Sequence, residues 1–416
     1  MNRPNTEDSS IWTSNRATYR LAVVLSHPTQ YYSPWFRFVQ AQGEVELRVF
    51  YLWDFGVTRK TDRQFGTALC WDVDLLSGYE SEFVPNVATD TGTHHFRGLD
   101  NPDLTRRLAA WRPDAILLFG YTWRSHLRVV RWARFRGIPL LFRGDSHFIG
   151  RGSPAWPKRL LLSFLYRQFS AFLTVGAANR DYFRTLGVSE KRLFFAPHAV
   201  DDSLFNPART DHQSASEALR AELGLSTERT VILFAGKFLP AKQPVELLRA
   251  FIELHDRAAT LLFVGDGPLR EELRALANSH PEADVKFLPF ANQSEMPARY
   301  LLANLFVLPS RGLYETWGLA VNEAMHMGVP ALVSERVGCQ RDLVTDGETG
   351  WVFRHDSAED FHLKLSEATG AIRQKATRDK VRQRVQERIQ NYSYHAATSG
   401  LCLAISRLGN RRINSV

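Results

Sequence analysis

Two carboxylates flank a glycine in the run YETWGLAVNEAMHMG at residues 314–328: Glu315 and Glu323, with Gly318 between them. The apolar run LFVLPS (305–310) precedes them, and Gly328 and Pro330 follow. That order predicts a strand, a loop, and a helix from near Gly318 to Gly328. Glu315 then sits in the loop and Glu323 within the helix. A helix start carries unpaired N–H groups and the positive end of the dipole, which suits a diphosphate. Gly318 lets a phosphate come close to the backbone. Two lysines, Lys237 and Lys242, follow another apolar run, TVILFAG (230–236). A ligand cleft opens at such strand ends, and ammonium groups there would meet phosphate. The plain alternatives are a solvated helix face, shared by Asn322, Glu323 and His326, and two surface lysines. Spacing alone favours the plain reading for the acids, because two glutamates eight positions apart are a weak pattern.

The elements that must hold these residues are legible as alternation. Short apolar runs at 21–26, 46–52, 114–120, 139–144, 172–176 and 192–197 read as strands. A second series follows at 230–236, 260–267, 285–290, 305–310 and 330–334. Nearly continuous apolar character marks parallel strands buried on both faces. Helical patterns at 125–136, 243–257, 268–278 and 318–327 lie between them. This predicts α/β architecture with two Rossmann-like, doubly wound parallel-sheet domains facing a central cleft. The expected division is a flexible leader at 1–18, an acceptor domain at 19–210, a donor domain at 211–390, and a C-terminal helix at 391–416 packing back on the first domain. A length of 416 residues suits two domains, and 23% charged with 44% hydrophobic residues suits a soluble globular chain.

Residues 305–355, PSRGLYETWGLAVNEAMHMGVPALVSERVGCQRDLVTDGETGWVF within them, closely resemble the donor site of glycosyltransferase family 4. FAGKFLPAKQPVELLRAF, LLFVGDGPLREELRALA and VKFLPFANQSEMPARY resemble the blocks that precede it, in unbroken order through residues 230–355. HPTQYYSPWF, RGDSHF and PHAVD match the first half more loosely. The resemblance implies the GT-B fold and transfer from a nucleotide-diphosphate sugar, UDP- or GDP-linked, with retention of configuration. Carried onto this chain, Glu315 holds the sugar hydroxyls and Glu323 the ribose hydroxyls. The backbone of Gly318 and Leu319 meets the phosphates, beside Gly236. Lys237 and Lys242 grip the diphosphate, and Pro289 and Phe290 lie beside the base. Growing charge on the departing diphosphate must be stabilised by fixed cations, dipoles or a metal ion. Glu315 could form a covalent sugar ester, or steady a front-face attack; the family leans to the second.

In the first half, His27, Gln30 and Tyr31 follow the first strand and are expected to face the cleft. Many family members have a glycine pair in that loop, and this chain has none. Arg143 and His147 are candidates for the position where the family often places a histidine; Arg143 paired with Asp145 is the structural alternative. Where the family more often has Asn-Gly, this chain has His198-Ala199. No cofactor or metal is expected: the Asp72-Val73-Asp74 triplet has a metal-binding form but no supporting neighbours. The three cysteines are scattered, which fits a reducing cytoplasm.

A net charge of +8 suits an anionic partner. Nucleic acid is not expected, as no recognition module is present. The partners expected are a glycan or lipid-linked acceptor and, through peripheral contact, an anionic membrane face, as in the polysaccharide and lipopolysaccharide assembly that basic family members often serve. Arg124, Arg128, Arg131 and Arg134 recur at helical spacing as one basic stripe. The segment 155–169, with Trp156, Lys158 and Arg159, is either a membrane-facing helix or, as favoured for 160–169, a helix packed on the sheet. Two other functions stay open: a nucleotide-sugar 2-epimerase on the same fold, and a non-catalytic sugar-nucleotide or glycan binder.

Overall fold

The computed structural model describes residues 19–58, 60–61, 68–152, 154–312 and 315–413. The expected leader, 1–18, and Tyr314 lie outside them. The strands are β1 (Tyr19–Leu25), β2 (Val45–Tyr51), β3 (Lys60–Thr61), β4 (Ala68–Leu69), β5 (Glu80–Phe83), β6 (Ala115–Phe119), β7 (Leu140–Arg143), β8 (Ala171–Thr174) and β9 (Leu193–Phe195). The second half supplies β10 (Thr230–Ala235), β11 (Ala259–Val264), β12 (Val285–Leu288), β13 (Leu305–Leu308), β14 (Ala331–Ser334) and β15 (Gly350–Phe353). One sheet has the order β5-β2-β1-β6-β7-β8-β9, the other β12-β11-β10-β13-β14-β15, and β3-β4 form a small antiparallel ribbon. Both large sheets are parallel. In each, the chain starts at a central strand and winds outward first to one side and then to the other. The crevice at that reversal, outside the strand ends, is where such sheets bind ligands.

Alternate residues of each strand serve opposite faces. Leu21 and Val23 pack with Leu401, Ala404 and Ile405, whereas Ala22 and Val24 pack with Leu104, Leu108 and Val129. In the second sheet Val231 and Leu233 face Tyr300 and Val321, and Ile232 and Phe234 face Leu247 and Phe251. The helix Tyr394–Ile413 thus builds the core of the first domain, though it follows the second in sequence. A Cβ on its Gly400 would lie 1.9 Å from the Phe195 carbonyl oxygen, so helix and β9 touch backbone to backbone. Trp35 Nε1 donates to Thr398 Oγ1 at 3.1 Å, pinning the same helix.

The strands and four helices expected from periodicity are present, with ends shifted by a few residues. β5 is polar in sequence, ESEF, and β15 is only the four residues GWVF between polar turns, so neither stands out as an apolar run. The helix Trp156–Tyr166 packs on the sheet by one face only: Leu162 and Tyr166 are buried, Tyr166 against Phe142 and Phe172. Trp156, Leu160, Leu161 and Phe164, on its other face, are 61–72% exposed. The basic stripe is also divided: Arg124 donates to Asp100 at 2.8 Å and Arg128 contacts the same carboxylate, leaving Arg131 and Arg134 at the outer end. Among the described residues, no helix is long and apolar enough to cross a membrane.

Candidate functional site

A cavity of about 640 Å³ lies between the domains, a size suited to a small ligand. Its C-terminal wall is the carboxyl end of the second sheet: Gly236 after β10, Gly265 after β11, and Leu308 and Ser310 at and beyond β13. A Cβ on Gly265 would lie 2.0 Å from the Gly236 carbonyl oxygen, so only glycine allows these two strand ends to meet.

Lys242 ends the turn Pro240–Lys242. Arg311 N donates to the Ala241 carbonyl at 3.0 Å, docking the segment after β13 onto that turn. This brings the Lys242 ammonium into contact with the Glu315 carboxylate, which also accepts from Ser310 Oγ at 2.8 Å. Lys237 lines the same cavity. The helix Leu319–His326 starts there too, with Gly318, Leu319 and Ala320 on the cavity wall. Gly318 has φ +98°, and a Cβ would come 2.8 Å from Val337 Cγ1. Conformation and space both demand glycine at this helix start.

Glu323, one turn into the helix, is 4% exposed. Its Oε1 accepts from Tyr31 OH at 3.0 Å and Gln293 Nε2 at 3.1 Å, and its Oε2 accepts from Tyr300 OH at 2.8 Å. Burial raises its pKa above the usual carboxylate range, while the bonds from Gln293, Tyr300 and Tyr31 oppose that rise. The acid is therefore a buried, hydrogen-bonded acceptor and not part of a solvated face; one of its roughly four lone-pair sites is open, and a bound ligand can take over the site that Tyr31 holds across the cleft. Tyr31 belongs to the first domain, so its bond to Glu323 crosses the cleft. Phe290 lines the cavity near this acid, and its neighbour Pro289 does not.

On the opposite wall, His27, Gln30 and Tyr31 face the cavity. His27 meets the Trp53 and Phe55 rings edge-on, at centroid distances of 5.7 and 5.4 Å, and burial lowers its pKa to about 4. Arg143 is a correction. It is 2% exposed, donates to the carbonyls of Ala196 (2.8 Å) and Pro197 (3.1 Å), and lies over the Trp35 ring. It braces the first domain and does not reach the cavity, nor does it hydrogen-bond Asp145. His147 does not line the cavity either; it is buried behind its wall, against the Glu315 backbone and beside Asp145, and accepts from Ile149 N at 3.1 Å.

The residue of that loop that reaches the cavity is Asp145. It accepts from Thr316 Oγ1 across the cleft at 2.7 Å and stands 3.8 Å from His198 Nε2. Burial pushes its carboxyl up, but His198 and Thr316 outweigh this and hold it at about 2. Burial lowers the His198 pKa, against the pull of Asp145. In the sequence Asp145 is legible only as a pairing partner for Arg143, and His198 only as a departure from the family pattern. The signal was their position after β7 and β9, at the carboxyl ends of the two strands that flank β8. Ser310, Gln293 and Tyr300 lie within the blocks that resemble the family, but nothing in their own type or spacing singles them out. Asp72 and Asp74 do not converge on a common point: Asp72 accepts from Ser294 of the other domain, whereas Asp74 accepts from Leu76 N and Ser77 N in its own turn.

The sequence matches two family models, "Glycosyl transferase 4-like domain" over residues 15–198 and "Glycosyl transferases group 1" over residues 215–388. It is 26% identical over 317 residues to a sulfoquinovosyl transferase of Arabidopsis thaliana, covering 72% of this chain and 58% of that protein. It is 32% identical over 193 residues to a D-inositol 3-phosphate glycosyltransferase of Thermomonospora curvata, covering 43% of this chain and 44% of the relative. The matches thus span about half the length of these relatives. Among solved structures, Anabaena HepE in complex with UDP and glucose superposes with a TM-score of 0.68 at 16% identity, over 94% of this chain and all of that one. With both halves matched and two Rossmann-like sheets facing one cleft, the chain belongs to the family 4 glycosyltransferases of GT-B fold.

Proposed function

We propose that the protein is a retaining glycosyltransferase that moves a sugar from a nucleotide-diphosphate donor to a hydroxyl of a glycan or lipid-linked acceptor. The observation that carries this reading is one cavity wall holding the Lys242–Glu315 contact, the helix start at Gly318 and the buried acceptor Glu323 in sequence order. On this reading the diphosphate lies between Lys237, Lys242 and the N–H groups of Gly318 and Leu319. Ribose hydroxyls donate to Glu323, the base lies by Phe290, and the sugar lies by Glu315. The relatives bear on the donor only by analogy: solved structures of similar fold are complexes with UDP and UDP-glucose.

Glu315 acts here as electrostatic support. Its carboxylate is engaged by Lys242 and Ser310, which lowers its value as a nucleophile. A front-face transfer then needs no ester: the acceptor hydroxyl attacks, and the departing phosphate oxygen takes its proton. The two lysines and the helix start supply the charge stabilisation, without a metal ion in the transfer site. Asp145, with His198 behind it, faces the place where the acceptor hydroxyl must enter.

The exposed apolar face of Trp156–Tyr166 supports a membrane-bound acceptor. Trp156, Leu160 and Phe164 repeat every four residues, and Lys158 and Arg159 flank them. Arg134 donates to Gln168 at 2.8 Å, so the outer end of the helix Arg124–Arg136, with Phe135 at 77% exposure, adjoins this face. Apolar residues ringed by cations suit an anionic leaflet, here the cytoplasmic one. The deciding experiment incubates the protein with UDP-, GDP- and ADP-sugars. A donor raises the melting temperature, and nucleoside diphosphate is released at a substantial rate only with an acceptor present. Sugar interconversion without acceptor indicates the epimerase instead, and binding with no turnover on any acceptor indicates a binder.

A further inference from the structure

We propose that Asp90, His94 and His95 form a binding site for a divalent transition ion, zinc by its donor set, on the loop that follows β5. The site is separate from the transfer cavity and does not depend on the donor reading. The His94 Nε2 to Asp90 Oδ2 distance is 3.0 Å, and His95 Nε2 stands 3.5 Å from the same oxygen. All three ligand atoms lie within 4.8 Å of one another. Tetrahedral zinc with bonds of about 2.0–2.2 Å sets neighbouring ligand atoms about 3.3 Å apart, so small rotations suffice to seat an ion.

Two features go beyond an ordinary histidine–aspartate pair. Side chains of adjacent residues usually diverge, yet both Nε2 atoms converge on Asp90, with ring centroids 4.5 Å apart: His94 Nε2 meets the carboxylate, and His95 Nε2 donates to the Asp90 carbonyl oxygen at 2.9 Å beside that carboxylate, a bond an ion would have to replace. The loop is also shaped for this. A Cβ on Gly92 would lie 2.6 Å from His94 Nδ1, so the imidazole occupies space that only glycine leaves open. The loop is anchored at both sides: Asn86 Nδ2 donates to the Gly98 carbonyl at 3.0 Å, and Arg124 N donates to the Phe96 carbonyl at 3.0 Å.

Two imidazoles and one carboxylate select zinc and its transition-metal neighbours over magnesium or calcium, which take oxygen ligands. The side chains are 37–52% exposed, leaving room for water as the fourth ligand. Bound there, the ion would tie residue 90 to residues 94–95 and stiffen a segment that has no strand or helix between Phe83 and Leu104. A second acid–histidine cluster, Glu335, His355 and Asp356, serves as the internal comparison. There His355 turns Nδ1 to Glu335 at 2.9 Å, while the Arg336 guanidinium donates to Nε2 at 3.0 Å; this keeps the ring proton on Nδ1, the atom facing the acids, and sets a cation beside the cluster, both of which oppose metal.

The test titrates the full chain, stripped with chelator, with zinc chloride by calorimetry, and with cobalt chloride by visible absorption. The expected result is one ion per chain, with a Kd on the order of micromolar or tighter and the visible bands of tetrahedral cobalt. His95→Ala and Asp90→Asn should each weaken zinc binding about tenfold or more, a change of about 1.4 kcal/mol per decade. Zinc should raise the melting temperature of the wild type and not that of the combined Asp90→Asn, His94→Ala and His95→Ala variant. His355→Ala should leave zinc binding unchanged. Stoichiometric binding that survives the combined variant, loss of binding in His355→Ala, or no binding below millimolar zinc each overturns the proposal.

Discussion

Substituting Glu323 probes the ribose site most directly, and the structure decides which substitution is informative. Alanine removes an acceptor from Tyr31, Gln293 and Tyr300 in a site only 4% exposed. Each stranded buried donor costs about 1–3 kcal/mol, so Glu323→Ala, which strands three, should cost about 3–9 kcal/mol of stability and confound any binding loss. Glu323→Gln keeps the volume and an acceptor oxygen, and the tyrosine hydroxyls can rotate, so its stability cost should stay near 1 kcal/mol. Ribose is affected more. A hydrogen bond to a charged acceptor is worth about 1.5–3 kcal/mol and a neutral one about 0.5–1.5. Two such bonds weakened by about 1–1.5 kcal/mol each give a loss of about 2–3 kcal/mol, or roughly 30- to 150-fold in nucleotide affinity. Calorimetry with UDP, GDP and ADP measures this, with thermal melts of the ligand-free proteins as the control. A Glu323→Gln protein that melts near the wild type and binds its nucleotide within twofold of the wild type refutes the assignment.

Gly318→Ala should both destabilise the protein by about 1–3 kcal/mol and lower donor affinity, because φ +98° and the 2.8 Å approach to Val337 exclude a Cβ at the helix start; melting and calorimetry read the two effects. His126 is fully buried with a pKa lowered by burial from 6.5 to about 3, so it stays neutral in the fold while the unfolded chain protonates. Its contribution is present above pH 6.5 and lost as pH falls toward 3; between pH 7 and 4.5 the loss should be about 2–3 kcal/mol. Urea melts at those two pH values should show a smaller drop for His126→Leu. Leu161→Glu with Phe164→Glu should abolish flotation with vesicles of anionic phospholipid while leaving the melting temperature within about 2 °C, since both side chains face solvent. Arg143→Ala should lower the melting temperature strongly, because the carbonyls of Ala196 and Pro197 lose their donors, and a rise in acceptor KM without loss of stability would contradict its bracing role.

The parts legible in the sequence are those that local chain order encodes. Buried parallel strands must be apolar along their whole length, so β1, β6, β10, β11 and β13 announce themselves, and their alternation with helices implies two wound sheets. Glu315, Gly318 and Glu323 lie within nine residues of one strand–loop–helix unit, and all three line the cavity, where the resemblance of the surrounding blocks, and not their spacing alone, put them. Contacts between distant segments could not be read this way. Tyr31 reaches Glu323 across 292 positions, and Asp145 reaches Thr316 across 171. Arg143 and Asp145 differ by two positions at the end of the same strand, yet one is consumed by carbonyls inside the domain and the other faces the cleft. The pattern of the helix Trp156–Tyr166 shows an apolar stripe but not its direction. Only the packing of Leu162 and Tyr166 into the domain turns Trp156, Leu160, Leu161 and Phe164 to solvent, because a helix presents every face and its neighbours choose which one is covered.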